Sequence, residues 1–193
     1  MHVLERLEPR SASMLDRLKP WDSRSPATIA SMVPDCFDAY CTVWHVPTPH
    51  ESEQCDSWEL GTLPQQTCLR LAERLRPFAA SERWVFAVWD GYGWKGDSQV
   101  ATRLQIPHRS LMIFEGGSAD VDQVAVRNVG FQSPTLWWPV TCDWLVRTDL
   151  DEHFSMFGGS IDSVEAVLRD PDLVAKSTNL EADVSALESA GPE

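Results

Sequence analysis

Between residues 63 and 78, apolar side chains recur at three- and four-residue steps. Cys68, Leu71, Leu75 and Phe78 fall on one side, which predicts an amphipathic helix. Thr62 precedes it as a candidate N-cap, and Pro64 lies in its first turn. In Arg83–Trp89 both alternating faces are apolar, as a central strand covered on both sides requires. Leu111–Phe114 repeats that signal more briefly, and Asp143–Thr148 reads as a further strand. Phe37–Val46 is rich in aromatic and β-branched groups in rough alternation, which predicts a strand ended by Pro47 and Pro49. Ser160 stands where it would cap a helix carrying Ile161, Val164, Val167 and Leu168 as far as Pro171.

The two ends of the chain follow a looser pattern. Val3, Leu4 and Leu7, then Met14, Leu15 and Leu18, have helical spacing broken by Pro9 and closed by Pro20, so residues 1–27 read as an appended helical arm. Beyond Asp170 the acids outnumber the single Lys176, and Leu180, Val184 and Leu187 offer one weak helical stripe. Residues 171–193 therefore read as an acidic tail, docked or mobile. Strands grouped in the middle with helices before and after them predict an α+β fold over residues 28–170. A single domain is expected, with a mainly antiparallel central sheet packed by two or three helices.

Composition narrows the classes of partner. A chain of 193 residues can bury one good core. Its 16 basic and 29 acidic residues give a net charge of −13, which repels nucleic acid and anionic membrane surfaces and suits a basic protein or a cationic ligand. No apolar run approaches the length of a membrane span. Met1–Glu8 lacks the basic head and apolar core of a signal peptide, and a cytoplasmic location is expected. Five cysteines (Cys36, Cys41, Cys55, Cys68, Cys142) make an odd set without Cys-x-x-Cys, which points to reduced, mostly buried thiols.

Four arrangements invite chemistry, and each has a plainer reading. Gly91-Tyr-Gly-Trp-Lys-Gly96 matches a dinucleotide loop, with Glu115 at a suitable distance. The mechanism also needs a helix after the loop, and Asp97–Ile106 carries only Val100 and Leu104 as a stripe. Cys36, Cys41, His45 and His50 have a zinc-like spacing, yet on a strand Cys41 and His45 lie roughly 13 Å apart at about 3.3 Å per residue, too far to share an ion. Cys142, His153 and Asp143, or His108, Arg109 and Ser110, assemble into a triad only on paper, because geometry rather than inventory defines such a site. Asp149 and Asp151 beside Glu152 have the composition of a cation site and equally that of a solvated loop. Neither a cofactor nor a metal is expected.

The nine tryptophans carry more weight. Trp84, Phe86 and Val88 share one strand face, with Trp89 on the other. Consecutive residues of an extended segment point oppositely, so one of Trp137 and Trp138 leaves the face that the other occupies. An exposed ring beside Pro139 and Arg147 would suit a partner hot spot or a stacking shelf. Cover of both rings by a helix or the N-terminal arm is the other arrangement this pattern allows.

Three motifs recur together: Phe86-Ala-Val-Trp-Asp-Gly-Tyr-Gly93, Gln132-Ser-Pro-Thr-Leu-Trp-Trp-Pro139, and Asp149-Leu-Asp151 leading to Phe157-Gly-Gly-Ser160. With Ile29–Tyr40 and Trp44-His45 upstream, they make the chain resemble a family of soluble actinobacterial proteins to which no activity is assigned. The resemblance spans residues 28–46 and 82–170, and it implies a hairpin-type connection after Trp89-Asp-Gly-Tyr-Gly93. This chain departs from the pattern at Thr42, where the family has arginine, at Thr141-Cys142, where it has Asp-Arg, and at Met156-Phe157, where it has Tyr-Val. The Asp-x-Asp and Gly-Gly-Ser ending is also similar to the SUKH superfamily, which includes toxin-immunity proteins.

Charge and motifs together favour a non-catalytic protein-interaction module, of immunity type in one concrete form. Tyr92, Trp94, Trp137 and Trp138 would line its groove, Asp149 and Asp151 would assist, and a basic protein would be the partner. The alternative is a small-ligand sensor or enzyme whose aromatic pocket uses His108, Arg109 and Asp90 as polar groups. An oligomerising role for the arm is a third possibility, and the pattern leaves the oligomeric state open.

Overall fold

A strand without polar residues is stable only where both of its faces are covered, and the strand Trp84–Trp89 occupies such a position. A computed structural model describes residues 2–3, 7–18, 27–46, 60–93, 102–106, 109–126 and 130–191. In chain order its elements are β1 (His2–Val3), α1 (Pro9–Leu15), β2 (Ala39–Trp44), α2 (Gln65–Leu75), β3 (Trp84–Trp89), β4 (Arg103–Ile106), β5 (Arg109–Gly116), β6 (Ala125–Val126), β7 (Gly130–Phe131), β8 (Leu136–Pro139), β9 (Leu145–Thr148), β10 (Phe154–Gly159), α3 (Ile161–Leu168), β11 (Ala175–Thr178) and α4 (Val184–Ala190). Among the described residues nine strands form one sheet in the order β1-β5-β3-β8-β9-β10-β2-β11, with β4 beside β5, and every pairing is antiparallel. The fold is α+β, as the grouping of strands and helices predicts.

The alternation of side chains divides the core between two layers. Val85 and Ala87 of β3, Leu136 and Trp138 of β8, and Phe154 and Met156 of β10 point to one face. There they meet Met14, Leu15 and Leu18 of the arm, the short turn at Ile29–Ser31, and Val184 of α4. Trp84 and Phe86, Trp137, Val146 and Phe157 point to the other face, under Leu71 and Leu75 of α2 and Val164 and Val167 of α3. Burying a side chain of that size is worth about 1.5–3 kcal/mol, so each covering helix is held chiefly by a few such contacts. A polar link joins the two helices on that face. The Asp170 carboxylate, fully buried after α3, accepts from Arg70 Nε at 3.0 Å and Arg74 Nε at 2.7 Å.

Trp137 and Trp138 take the second of the two arrangements that the sequence allows. Both rings are 0 % exposed, because opposite directions from β8 both lead into a covered layer. Trp137 packs tilted against Trp84 and edge-on against Trp144, with ring centroids 5.8 and 5.5 Å away. Trp138 lies under the arm and donates its indole N–H to Ser11 Oγ of α1 at 3.0 Å. The expected exposed shelf is therefore not formed by this pair.

Other expectations shift locally. His2–Val3, read as the start of a helix, pairs with Phe114 and Glu115 of β5 as a strand. The helix read from Leu63 starts at Gln65 after Pro64, and Thr62 donates to Gln132 Oε1 instead of capping it. Arg103–Ile106, at the end of the stretch weighed as a helix behind Gly96, is a strand in a hairpin with β5. Gly96 itself, Trp94, His50 and His108 lie outside the described residues. The segment 171–193 supplies an edge strand, β11 on β2, and α4, which docks on the arm side through Val184 N–H to Ala27 O. Among the described residues no helix is long and apolar enough to cross a membrane.

The two adjacent tryptophans should respond differently to the same substitution. Trp137 Nε1 has no hydrogen-bond partner among the described residues, whereas Trp138 Nε1 has Ser11. Trp138→Phe is expected to cost about 1 kcal/mol more than Trp137→Phe in urea unfolding, the net worth of one buried hydrogen bond. Equal costs would mean that the arm is not fastened through Ser11.

Candidate functional site at one end of the sheet

Antiparallel pairing brings the ends of β2, β3 and β9 together with the starts of β5, β8 and β10. Polar residues collect there. On the α2–α3 side, His45 Nε2 is 3.0 Å from Ser155 Oγ, which is 2.7 Å from Thr148 Oγ1. The Gln132-Ser-Pro-Thr135 stretch then fastens neighbouring backbone. Ser133 Oγ accepts from Leu63 N–H, Thr135 Oγ1 accepts from Trp89 N–H, and Gln132 Nε2 donates to Gly61 O at 3.1 Å. His45 and Ser155 are both 0 % exposed, so their bond is a fastener and the hydroxyl is sealed from any substrate.

On the arm side the chemistry is ionic. Arg147 extends from β9 and donates through Nη1 to Met32 O at 3.0 Å and through Nη2 to Asp149 Oδ2 at 2.7 Å. Arg109, the first residue of β5, places its Nη2 2.6 Å from Asp149 Oδ1 and 3.3 Å from Asp151 Oδ2. A single buried carboxylate thus takes two guanidiniums. Burial pushes the Asp149 pKa up, but Arg147 and Arg109 more than reverse that and hold it below the usual carboxylate range. Arg109 Nη1 and Arg147 Nε remain buried without an acceptor among the described residues.

Tyr92 closes this cluster from the turn after β3. Its hydroxyl donates to Gly61 O at 3.1 Å and its ring meets Trp89 edge-on at 5.1 Å. Burial, partly offset by Arg109 and reinforced by Asp149 and Asp151, raises its pKa well above that of a free phenol, so it stays neutral. Gly61 has φ of +72°, and a Cβ there would meet the Leu150 carbonyl oxygen at 2.5 Å. Only glycine lets residues 60–63 lie against the Asp149–Asp151 loop, where Gly61 N–H also bonds Glu152 O at 3.0 Å.

The structure therefore brings together Tyr92, Arg109, Asp149 and Asp151, four of the residues singled out by sequence. Trp137 and Trp138 lie in the two core layers, and Asp90 pairs with Arg103 at 3.5 Å. Sequence reasoning missed Arg147 as a partner of Asp149, and Gly61 and Gln132 as its support. The two-residue step from Arg147 to Asp149, which keeps both on one strand face, is the signal that could have found the first. Of the cysteines weighed for zinc or nucleophilic roles, Cys41 is driven by burial to a pKa of about 12, and Cys36 and Cys142 are also raised by burial. No group of three or more potential metal ligands stands together among the described residues.

Asp149→Asn would strand two guanidiniums that are 15 % and 9 % exposed, and a loss of about 3–5 kcal/mol is expected in urea unfolding. Arg109→Met leaves the Arg147–Asp149 pair intact and should cost clearly less. Because the Asp149 pKa is depressed, this stabilisation is whole above the ordinary carboxylate pKa of 3.8 and is lost as pH falls below it. Gly61→Ala should also destabilise, by about 2 kcal/mol or more, through strain at positive φ and the clash with Leu150. Equal costs for Asp149→Asn and Arg109→Met would show that the shared carboxylate does not organise the cluster.

No protein-family model, curated protein or solved structure matches this chain.

Proposed function

We propose that the chain is a non-catalytic binding protein whose recognition element is the arginine cluster at the sheet end, and that its ligand is a small molecule bearing a carboxylate or phosphate. One observation carries this reading: among the described residues Arg109 Nη1 and Arg147 Nε are buried donors without an acceptor, beside a carboxylate already shared by both guanidiniums. An unpaired buried donor costs about 1–3 kcal/mol, and an oxyanion offers the acceptors that a guanidinium fork matches. Arg109 is the more accessible of the two, and neutral Tyr92 supplies an aromatic wall beside it. Asp151, 81 % exposed at the rim, would meet any cationic group on the same ligand.

This reading keeps Arg109 from the aromatic-pocket alternative and Tyr92, Asp149 and Asp151 from the interaction-module reading. It leaves Trp137 and Trp138 to the core. A basic protein partner, as for an immunity-type inhibitor, is favoured by a different observation: the net charge of −13 together with the exposed Asp151. Membership of the actinobacterial family rests within this proposal on the motifs alone. A cytoplasmic location is proposed on the free cysteines Cys36, Cys41, Cys68 and Cys142.

The test is calorimetric titration at fixed ionic strength with short carboxylates, phosphate monoesters and their uncharged amide or alcohol analogues. A saturable signal is expected from an anionic member and none from its neutral analogue. Arg109→Lys should weaken it at least tenfold, because an ammonium cannot reproduce the fork. No saturable binding across the panel, or undiminished binding to Arg109→Lys, would sink the small-anion reading. Retention of a basic protein at low salt that is lost on Asp151→Asn would favour the second.

A further inference from the structure

Asp149 can neutralise only one of the two guanidiniums that reach it. Arg109 and Arg147 bring two positive charges to a single carboxylate that is buried with them, and the second charge is met from the rim, where Asp151 Oδ2 stands 3.3 Å from Arg109 Nη2. We infer that Asp151 occupies Arg109 in place of a ligand carboxylate, and that the ligand is a zwitterion, an α- or β-amino acid. Its carboxylate displaces Asp151 from Arg109, and its ammonium group then pairs with the freed Asp151. The inference rests on the small-anion reading above and narrows it to one charge type.

The two arginines are not equally available. Arg147 donates through Nη1 to Met32 O at 3.0 Å and through Nη2 to Asp149 at 2.7 Å, so it is anchored. Arg109 meets both of its acids through Nη2, which leaves Nη1 a buried donor without an acceptor among the described residues. A carboxylate has two oxygens and can take Nη1 and Nη2 together, as a parallel pair of charge-assisted hydrogen bonds. The single 3.3 Å contact from Asp151 does not provide that. Nη1 is enclosed while Asp151 stands at Arg109, so entry requires the rim to move. Of the four charged side chains Asp151 is by far the most exposed, and exposed ion pairs are weak and screened by salt.

Charge then decides between the anions. Arg109, Arg147, Asp149 and Asp151 together are neutral, and a zwitterion keeps them so. A monocarboxylate adds one negative charge and a phosphate monoester about two, inside a chain whose net charge of −13 already opposes them. A purely cationic ligand has no acceptor for Nη1. The ammonium group must also lie close to the carboxylate, because Asp151 moves on a loop in which Asp149, two positions away, stays fixed between the arginines. Tyr92, whose hydroxyl is engaged by Gly61 O, has only its ring to offer to the carbon atoms of the ligand.

Calorimetric titration of the full chain at pH 7 tests this with glycine, L-alanine, β-alanine, L-leucine and L-phenylalanine, each beside its N-acetyl derivative and its amide. A free amino acid is expected to bind about tenfold or more tightly than its N-acetyl form, the amide is expected to give no saturable signal, and ε-aminocaproate, with its charges too far apart, should bind no better than an N-acetyl form. In Asp151→Asn the N-acetyl form should bind more tightly than it does to the wild type, because its competitor is gone. The preference for the free amino acid should shrink to within about threefold. A substitution that only disturbed the fold would weaken both ligands alike and keep the ratio. N-acetyl forms that bind the wild type as tightly as free amino acids, or a preference retained in Asp151→Asn, would overturn the inference and leave the small-anion reading standing. Absence of saturable binding by every carboxylate would overturn both.

Discussion

Cover on both faces of one sheet is the constraint on which the remaining architecture depends. β3 has no hydrophilic face, so it must lie inside, with β5 and β8 on its flanks and helices above and below. The tryptophans follow from that placement. Trp84, Trp137 and Trp144 fill the α2–α3 layer as mutually tilted and edge-on rings, with Trp84 and Trp144 4.7 Å apart, and Trp138 fills the arm layer. The bulk of these rings sets the spacing of the layers. Other aromatic residues explain a glycine on the arm face: at Gly158 a Cβ would come within 2.6 Å of the Phe37 ring, with Tyr40 beside it, so the strand must be bare where these two rings cross it.

With both faces sealed, polar side chains are satisfied inside or gathered where strands end, and this chain does both at one end of its sheet. His45, Ser155 and Thr148 satisfy one another in the α2–α3 layer. Arg109, Arg147 and Asp149 depend on mutual pairing, which in a dry setting has a high desolvation cost and is destabilised sharply by loss of a partner. Their geometry is held by neutral groups. Gly61 O takes hydrogen bonds from Tyr92 and Gln132 at once, which locks the segment before α2, the turn after β3 and the approach to β8 around a single carbonyl.

Local signals were legible in the sequence wherever one element's own periodicity decided the outcome. The amphipathic stripe of α2, the all-apolar β3 and the Ser160 cap of α3, whose Oγ accepts from Ser163 N–H at 3.3 Å, are of this kind. Legibility ended where a partner distant in sequence decides. Thr62 looks like a cap until Gln132, seventy positions on, takes its hydroxyl. Phe154–Gly159 carries a weak strand signal because its glycines lower strand propensity, and its pairing with β2 and β9 supplies what propensity lacks. Trp137 and Trp138 show the limit most clearly: alternation gives opposite directions, and only the tertiary arrangement says that both directions are covered. Thr42 and Met156, more than a hundred positions apart in sequence, face each other across β2 and β10, a proximity that no local pattern announces.

The acidity of the chain acquires a structural meaning at the same sheet end. A net charge of −13 raises the cost of ionising each further carboxyl group, and that cost is greatest where burial removes the screening of water. Asp149 escapes it because two arginines reach it. Glu152, three residues later, has no such cation among the described residues, and burial together with Glu188, Asp149 and Asp151 raises its pKa to about 8. Two carboxyl groups on one loop are thereby pushed in opposite directions by their partners, one held ionised and one inclined to neutrality. The arginines that stabilise Asp149 are consumed in doing so, and the acids around Glu152 are left to oppose its ionisation.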